Sequence, residues 1–509
     1  VDVLKLRADW LIEPGGNAIL GAEASMILAD RFHYPEDYLD RCEERLETAL
    51  GRVPAYRSWR AMDPGRGSAA DGPAAGGALS GSGISARAAA LDRRYDALPV
   101  LDKAQMRASF PRGLMPPERD LEAGLASDEV EYTFTSGTTS EKVINIFDTA
   151  WWVRGEAASW KLNSNLAGLS YPQRQAELAS SLNVGINCEE DLDMAHRLLG
   201  ERLYLSEKTN LIQWEPRHYD RMLREINDFK PVILEANPSL LARLSYWALD
   251  RGVEMYSPKA IVFTFEFISD IVLAAIRRVF SSPFVSSYGS TETGFVMESC
   301  EEGLLHQNTD FCRIDFKPLK AELGGMDAAG RPSLGRIYVT NFDNPWNYIL
   351  RFDVGDIVRL HPEGSCRCGR SAGMIADSVE GRIANLTFDC AGRPVTTKAL
   401  DRALSAVEGI RDYRLEQRGR SDYMLELMLE PVCQAGGADI AGAGPTESEL
   451  PLAPEGKRAV EASRAALEAV YGRDARCDVM AAGNILPGPA GKFRRTGADF
   501  EFDEKELFV

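Results

Sequence analysis

The run Thr135-Ser136-Gly137-Thr138-Thr139-Ser140-Glu141-Lys142 packs five hydroxyls, one glycine and one lysine into eight residues. Backbone N–H groups, hydroxyl donors and an ammonium gathered around one anion are the parts of a phosphate cradle. A polar hairpin turn uses the same residue types, so the loop alone leaves both readings open. Residues 130–134 alternate apolar and polar, and residues 143–147 are apolar except for Asn145, with three β-branched side chains. Both flanks read as strands, and two strands must therefore hold the loop.

Chemistry-bearing residues recur downstream, again at the ends of strand-like runs. Residues 284–287 lead into Tyr288-Gly289-Ser290-Thr291-Glu292-Thr293-Gly294, and Gly355-Asp356 precedes a run at 357–360. Gly381-Arg382 precedes another at 384–388, and Gly491-Lys492 lies in a late Pro/Gly segment. Between these points, strands at 232–235, 260–265 and 335–341 alternate with helices. Asn237, Pro238 and Gly252 frame one helix with a cap, a first-turn proline and a glycine stop, and residues 270–280 form the next. Such alternation predicts α/β layers around a largely buried sheet. A helix over residues 35–50, closed by Gly51, lies upstream. Trp151, Trp152 and Trp160 fall on a helix running to about residue 169. They read as core packing, with the wall of an aromatic pocket as the alternative. Residues 63–90, rich in Gly, Ala and Ser, read as a flexible insertion. Past residue 388 the texture becomes a small α+β unit, with strands at 413–417 and 423–430 and a helix at 460–471.

In this order and at these separations the motifs resemble the adenylate-forming superfamily of acyl-CoA synthetases, peptide-synthetase adenylation domains and luciferases. The resemblance covers residues 130–495. Cys366-Arg367-Cys368-Gly369, with Cys300 and His306, is similar to the phenylacetate–CoA ligase branch. The resemblance implies a large N-terminal domain of layered α/β sheets (residues 1–381) and a small mobile α+β C-terminal lid (382–509) carrying Lys492. Activating a carboxylate with ATP brings two anions together, so donors must neutralise phosphate and developing charge. By resemblance, Thr135, Ser136, Gly137, Thr138, Thr139 and Lys142 hold the phosphates, and Glu292 places Mg²⁺, a hard cation suited to carboxylate oxygens. Tyr288, with Gly289, Ser290 and Thr291, offers a face to adenine, and the segment at Glu266 covers the other side. Asp356 accepts from both ribose hydroxyls, Arg382 marks the domain boundary, and Lys492 is the adenylating cation. Lys492, Glu292 and Thr139 are the expected catalytic residues. Two positions depart from the family pattern: Ser140-Glu141 where the loop usually continues Gly-X-Pro, and Ile383-Ala384 at the hinge.

Cys300, His306, Cys366 and Cys368 form a candidate structural Zn²⁺ site, because soft thiolates with one imidazole suit that ion and four protein ligands close its shell. Cys312 is an alternative to His306, and free thiols are the alternative to a metal site.

Composition narrows the partners. A net charge of −18 argues against general binding to nucleic acid or anionic membrane, which needs clustered Lys and Arg. No apolar run reaches spanning length, and nine scattered cysteines fit a reduced cytoplasm. No Gly-X4-Gly-Lys-Ser/Thr run is present, which argues against a Walker-type kinase. The expected function is an AMP-forming acid–thiol ligase acting on an aromatic or arylacetic acid, with ATP, Mg²⁺ and CoA. A carrier-protein thiol or an amine as acceptor, a homodimer, and a catalytically weak ligand-binding homologue remain open alternatives.

Overall fold

The computed structural model describes residues 31–65, 81–134, 143–169, 173–181, 188, 190–208, 214–430, 453–488 and 491–509. They form two compact units. The first comprises Pro14–Gly168, Val285–Val379 and Lys505–Val509; the second comprises Val1–Glu13, Leu169–Phe284 and Glu380–Glu504.

Strands lying wholly or mostly in the first unit follow the order Cys312–Pro318, Leu334–Asn341, Phe352–Leu360, Ile375–Arg382, Leu305–Gln307, Gly294–Ser299 and Phe284–Ser290. Leu334–Asn341 is buried at every position, as a strand covered on both faces must be. Helices Glu36–Arg52 and Gly81–Asp96 share its core. Helix Glu36–Arg52 turns Tyr38, Leu39, Cys42, Leu46, Ala49 and Leu50 inward, the i, i+3/i+4, i+7 stripe of an amphipathic helix. Gly51 does not stop this helix. It runs to Arg52 and ends where Val53 turns extended ahead of Pro54, since a residue before proline is pushed out of the helical region. Helix Gly81–Asp96 occupies the second part of the alanine-rich segment read as an insertion, and it sends Ala88, Leu91 and Tyr95 into the core. Alanine is the best helix former and lets a helix pack closely, so a stretch that looks low in complexity is here structural. Strands Val130–Phe134 and Ile144–Asp148 pair antiparallel, Phe134 opposite Ile144.

In the second unit, Arg202–Tyr204, Gln175–Leu178, Ile233–Ala236 and Ala260–Phe263 pair in parallel. Helices Pro216–Phe229, Pro238–Arg251 and Asp270–Arg277 intervene or follow, and their apolar faces join the strands in one core. Asn237 caps the Leu240 N–H at 3.0 Å, Pro238 takes the first helical position and Gly252 ends the helix at φ +65, as its sequence predicts. The same unit holds a four-stranded sheet in the order Arg476–Ala481, Asp422–Leu429, Ile410–Gly419, Thr496–Ala498. Helices Thr397–Ser405 and Pro454–Tyr471 cover it. The expected strand at 384–388 is instead a single 3-10 turn, Ile383–Asn385, followed by the short strand Thr387–Phe388.

Candidate functional site

Strand Phe284–Ser290 pairs antiparallel with Gly294–Ser299, and the register slips between Tyr288 and Gly289. A bulge of this kind re-aims a side chain at a strand end. The slip requires glycine, because a Cβ on Gly289 would lie 2.1 Å from the Gly294 carbonyl oxygen. Gly294 closes the turn at φ +71, and a Cβ there would meet the Trp151 ring at 2.6 Å. Inside the turn, the Thr293 N–H donates to the Ser290 carbonyl at 3.2 Å, and the two hydroxyls lie 2.9 Å apart. Glu292 is only 5% exposed. The Tyr288 phenol donates to Asp356 Oδ2 at 2.9 Å. Two motifs 68 residues apart thus form one assembly: an aromatic face beside an oriented carboxylate.

The tryptophans explain why the turn holds its shape. Trp151 is 2% exposed, stacks obliquely on Phe311 at 5.4 Å, and donates its indole N–H to the Phe342 carbonyl at 2.8 Å. Asp148 caps the start of helix Thr149–Trp160, accepting from the Trp151 N–H at 2.8 Å. Trp151 and Trp160 are core residues, whereas Trp152 is half-buried between Phe147 and Phe295, at 5.3 and 4.8 Å. Thr135, Ser136, Gly137, Thr138, Thr139 and Lys142, with Ser140 and Glu141, lie outside the described residues.

Glu266, Arg382 and Lys492 belong to the second unit. Both carboxylate oxygens of Glu266 accept backbone N–H groups at 3.2 Å, one from Ser239 and one from Phe493. Lys492 sits half-buried in a closed turn, where Gly488 N–H donates to the Lys492 carbonyl and Gly491 N–H to the Gly488 carbonyl, both at 2.9 Å. Gly381, at φ +114, precedes Arg382; a Cβ there would meet Thr397 Oγ1 at 2.8 Å. Arg495, which carries no motif signal of its own, is buried and pairs with Asp412.

The cysteines and the histidine converge. One ligand atom from each of Cys300, His306, Cys366 and Cys368 lies within 4.8 Å of all the others. Cys300 Sγ is 3.7 Å from Cys366 Sγ, and Cys368 Sγ is 3.5 Å from His306 Nε2. Four ligands about 2.3 Å from a tetrahedral ion stand about 3.8 Å apart, so these spacings fit zinc. The N–H groups of Cys368 and Arg370 point at the Cys366 and Cys368 sulfurs, as the outer shell of a thiolate site does. Burial pushes the Cys300 thiol up to about 12 and the His306 imidazole down to about 4, which keeps the imidazole in its ligating form. Cys312 faces the carbonyls of Val296 and Asn308 instead.

Asp191, Glu207 and His218 form another close group, in the second unit. It carries its own cations: Lys208 and Arg217 lie 3.1 and 3.2 Å from Asp191, and Arg221 lies 2.8 Å from Glu207. The charges are met within the group, which reads as an ion-pair network. Sequence spacing gave no sign of it.

No family model matches the chain. Over 142 residues it is 24% identical to Protein CapK of Staphylococcus aureus, a match covering 28% of this chain and only 29% of that relative. Two structures of a 2-hydroxyisobutyryl-CoA ligase in the postadenylation state, one with 2-HIB-AMP and one with R3-HIB-AMP, give TM-scores of 0.61 and 0.62. Identity is 15% and 14%, and each comparison covers 92% of this chain and 91% of the other. The chain shares the fold of that CoA ligase. An identity this low carries the fold, and neither the activity nor the substrate.

Proposed function

We propose that the chain activates a carboxylic acid with ATP and passes the acyl group to the thiol of CoA. In the first step a carboxylate oxygen attacks the α-phosphorus and pyrophosphate leaves. In the second the thiolate attacks the acyl carbon and AMP leaves. The observation that carries this reading is the 2.9 Å bond from Tyr288 to Asp356, which sets an adenine-sized aromatic face beside a carboxylate suited to ribose hydroxyls. Asp356 held by a phenol keeps its orientation without a ligand, so less order remains to be imposed on binding.

Lys492 supplies the cation at the reacting carboxylate and α-phosphate. Thr135, Ser136, Gly137, Thr138, Thr139 and Lys142 cradle the other phosphates. Buried Glu292 would hold Mg²⁺, which neutralises phosphate charge when bound. Residues 382–509 act as the lid, with Arg382 at its start. The half-buried Trp152 between Phe147 and Phe295 supports an aromatic or arylacetic acid as substrate. Cys300, His306, Cys366 and Cys368 would hold a structural Zn²⁺ with no open position for chemistry.

Exchange of labelled pyrophosphate into ATP, run against a panel of acids, tests the first step. Product mass with CoA, a carrier protein or an amine tests the second. No acid-dependent exchange with any acid would sink the reading in favour of a binding protein.

A further inference from the structure

We infer that Glu266 is a positioning residue: its carboxylate is the dock that holds the Lys492 loop in its adenylating pose. This rests on the role proposed for Lys492, but the geometry stands apart from it. Phe265, immediately before Glu266, is held at φ +76, a region that non-glycine residues adopt only under constraint from their surroundings. The constrained residue aims the carboxylate between two segments far apart in sequence. One oxygen accepts the Ser239 N–H, an orphan donor in the first turn of helix Pro238–Arg251, where the helix dipole favours negative charge. The other accepts the N–H of Phe493, the residue directly after Lys492. Fixing that peptide fixes the lysine's Cα one virtual bond away, about 3.8 Å.

Neighbouring groups act in the same sense. Gly491, at φ +72, lets the loop lie against Ser180, and a Cβ there would come 2.4 Å from the Ser180 hydroxyl. Buried Arg495 pairs with Asp412 and donates to Ser239 Oγ at 2.7 Å, so Ser239 is tied to Glu266 through its N–H and to Arg495 through its hydroxyl. Arg243 donates to Asn484 Oδ1 at 2.6 Å just upstream of the loop. The Glu266 carboxylate accepts from the helix and from the loop at once.

Glu266→Gln keeps the volume and removes one of the two acceptors. Its expected effect is a loss of about ten- to hundred-fold in acid-dependent pyrophosphate exchange, the share of one charge-assisted hydrogen bond. Thioester formation from a supplied acyl-adenylate falls several-fold less than exchange does, because that step does not use the docked lysine. Trypsin cleavage after Lys492 in the full-length protein, without substrate, accelerates by a similar factor as the loop opens more often. Gly491→Ala, whose Cβ would press on Ser180, reproduces both effects. Equal loss in the two half-reactions, or unchanged cleavage after Lys492 in both variants, overturns the inference. If the wild type exchanges no pyrophosphate, the functional reading fails by itself, and the cleavage rates alone decide whether Glu266 docks the loop.

Discussion

The hydroxyl of Tyr288 donates to Asp356, and Tyr288→Phe removes that bond while keeping the ring. On the proposed reading, ATP binding weakens by about five- to ten-fold, the usual worth of one hydrogen bond, and acid binding is unchanged. Asp356→Ala should cost more, because the ribose loses its acceptor altogether. Calorimetric titration with ATP checks both, and a variant that binds ATP as the wild type does would show that the pair serves the strand alone. Lys492→Ala tests the other end of the chemistry. Its expected loss is about a hundred-fold or more in adenylation, with thioester formation from supplied adenylate nearly intact. A parallel loss in both steps would move Lys492 out of its proposed role.

Elements decide whether Tyr288 and Asp356 meet. Gly294→Ala places a Cβ against Trp151 at a backbone angle that side chains avoid, so it should destabilise the first unit by about 1–3 kcal/mol and distort the turn bearing Tyr288. Thermal unfolding reads the first effect and ATP affinity the second; a neutral result in both would mean that the turn tolerates repacking. The Cys/His group joins a strand end, the strand Leu305–Gln307 and the turn at 366–369. Metal analysis of protein purified without added metal should find about one zinc per chain, and Cys366→Ser with Cys368→Ser should abolish it. Zinc retained by the double variant would refute the ligand set. Much of this was legible in the sequence because each feature has a local cause. Asn237, Pro238 and Gly252 announce a helix by capping chemistry, and the Cys366/Cys368 spacing is a moderate signal of the cluster that Cys300 and His306 complete. The helix Gly81–Asp96 was not legible, since an alanine stripe is neutral until a partner surface gives it a face to bury. Nor was the part played by Trp151. Its meaning lies in the contact with Gly294, across the 143 positions that separate them, and no period of the local pattern encodes that.

At the scale of the whole chain, the charge of −18 predicts that retention on DNA–cellulose is lost well below physiological salt. Tight retention would point to a basic face that the composition hides. Among the described residues no helix is long and apolar enough to cross a membrane. Saturating ATP with the correct acid should raise the melting temperature by a few degrees, following the binding free energy of about 2.7 kcal/mol at a hundred times Kd. On the proposed reading, Trp151 should make one such binding event visible without any label. Its indole ring lies in the core against the turn that carries Tyr288 and donates to a fixed carbonyl, so its emission answers to the geometry of that turn. The chain has eight tryptophans, and the spectrum of the wild type less that of Trp151→Phe isolates this one. The protein therefore carries its own optical gauge, by which occupancy of the site could be followed in real time in a stopped-flow cell.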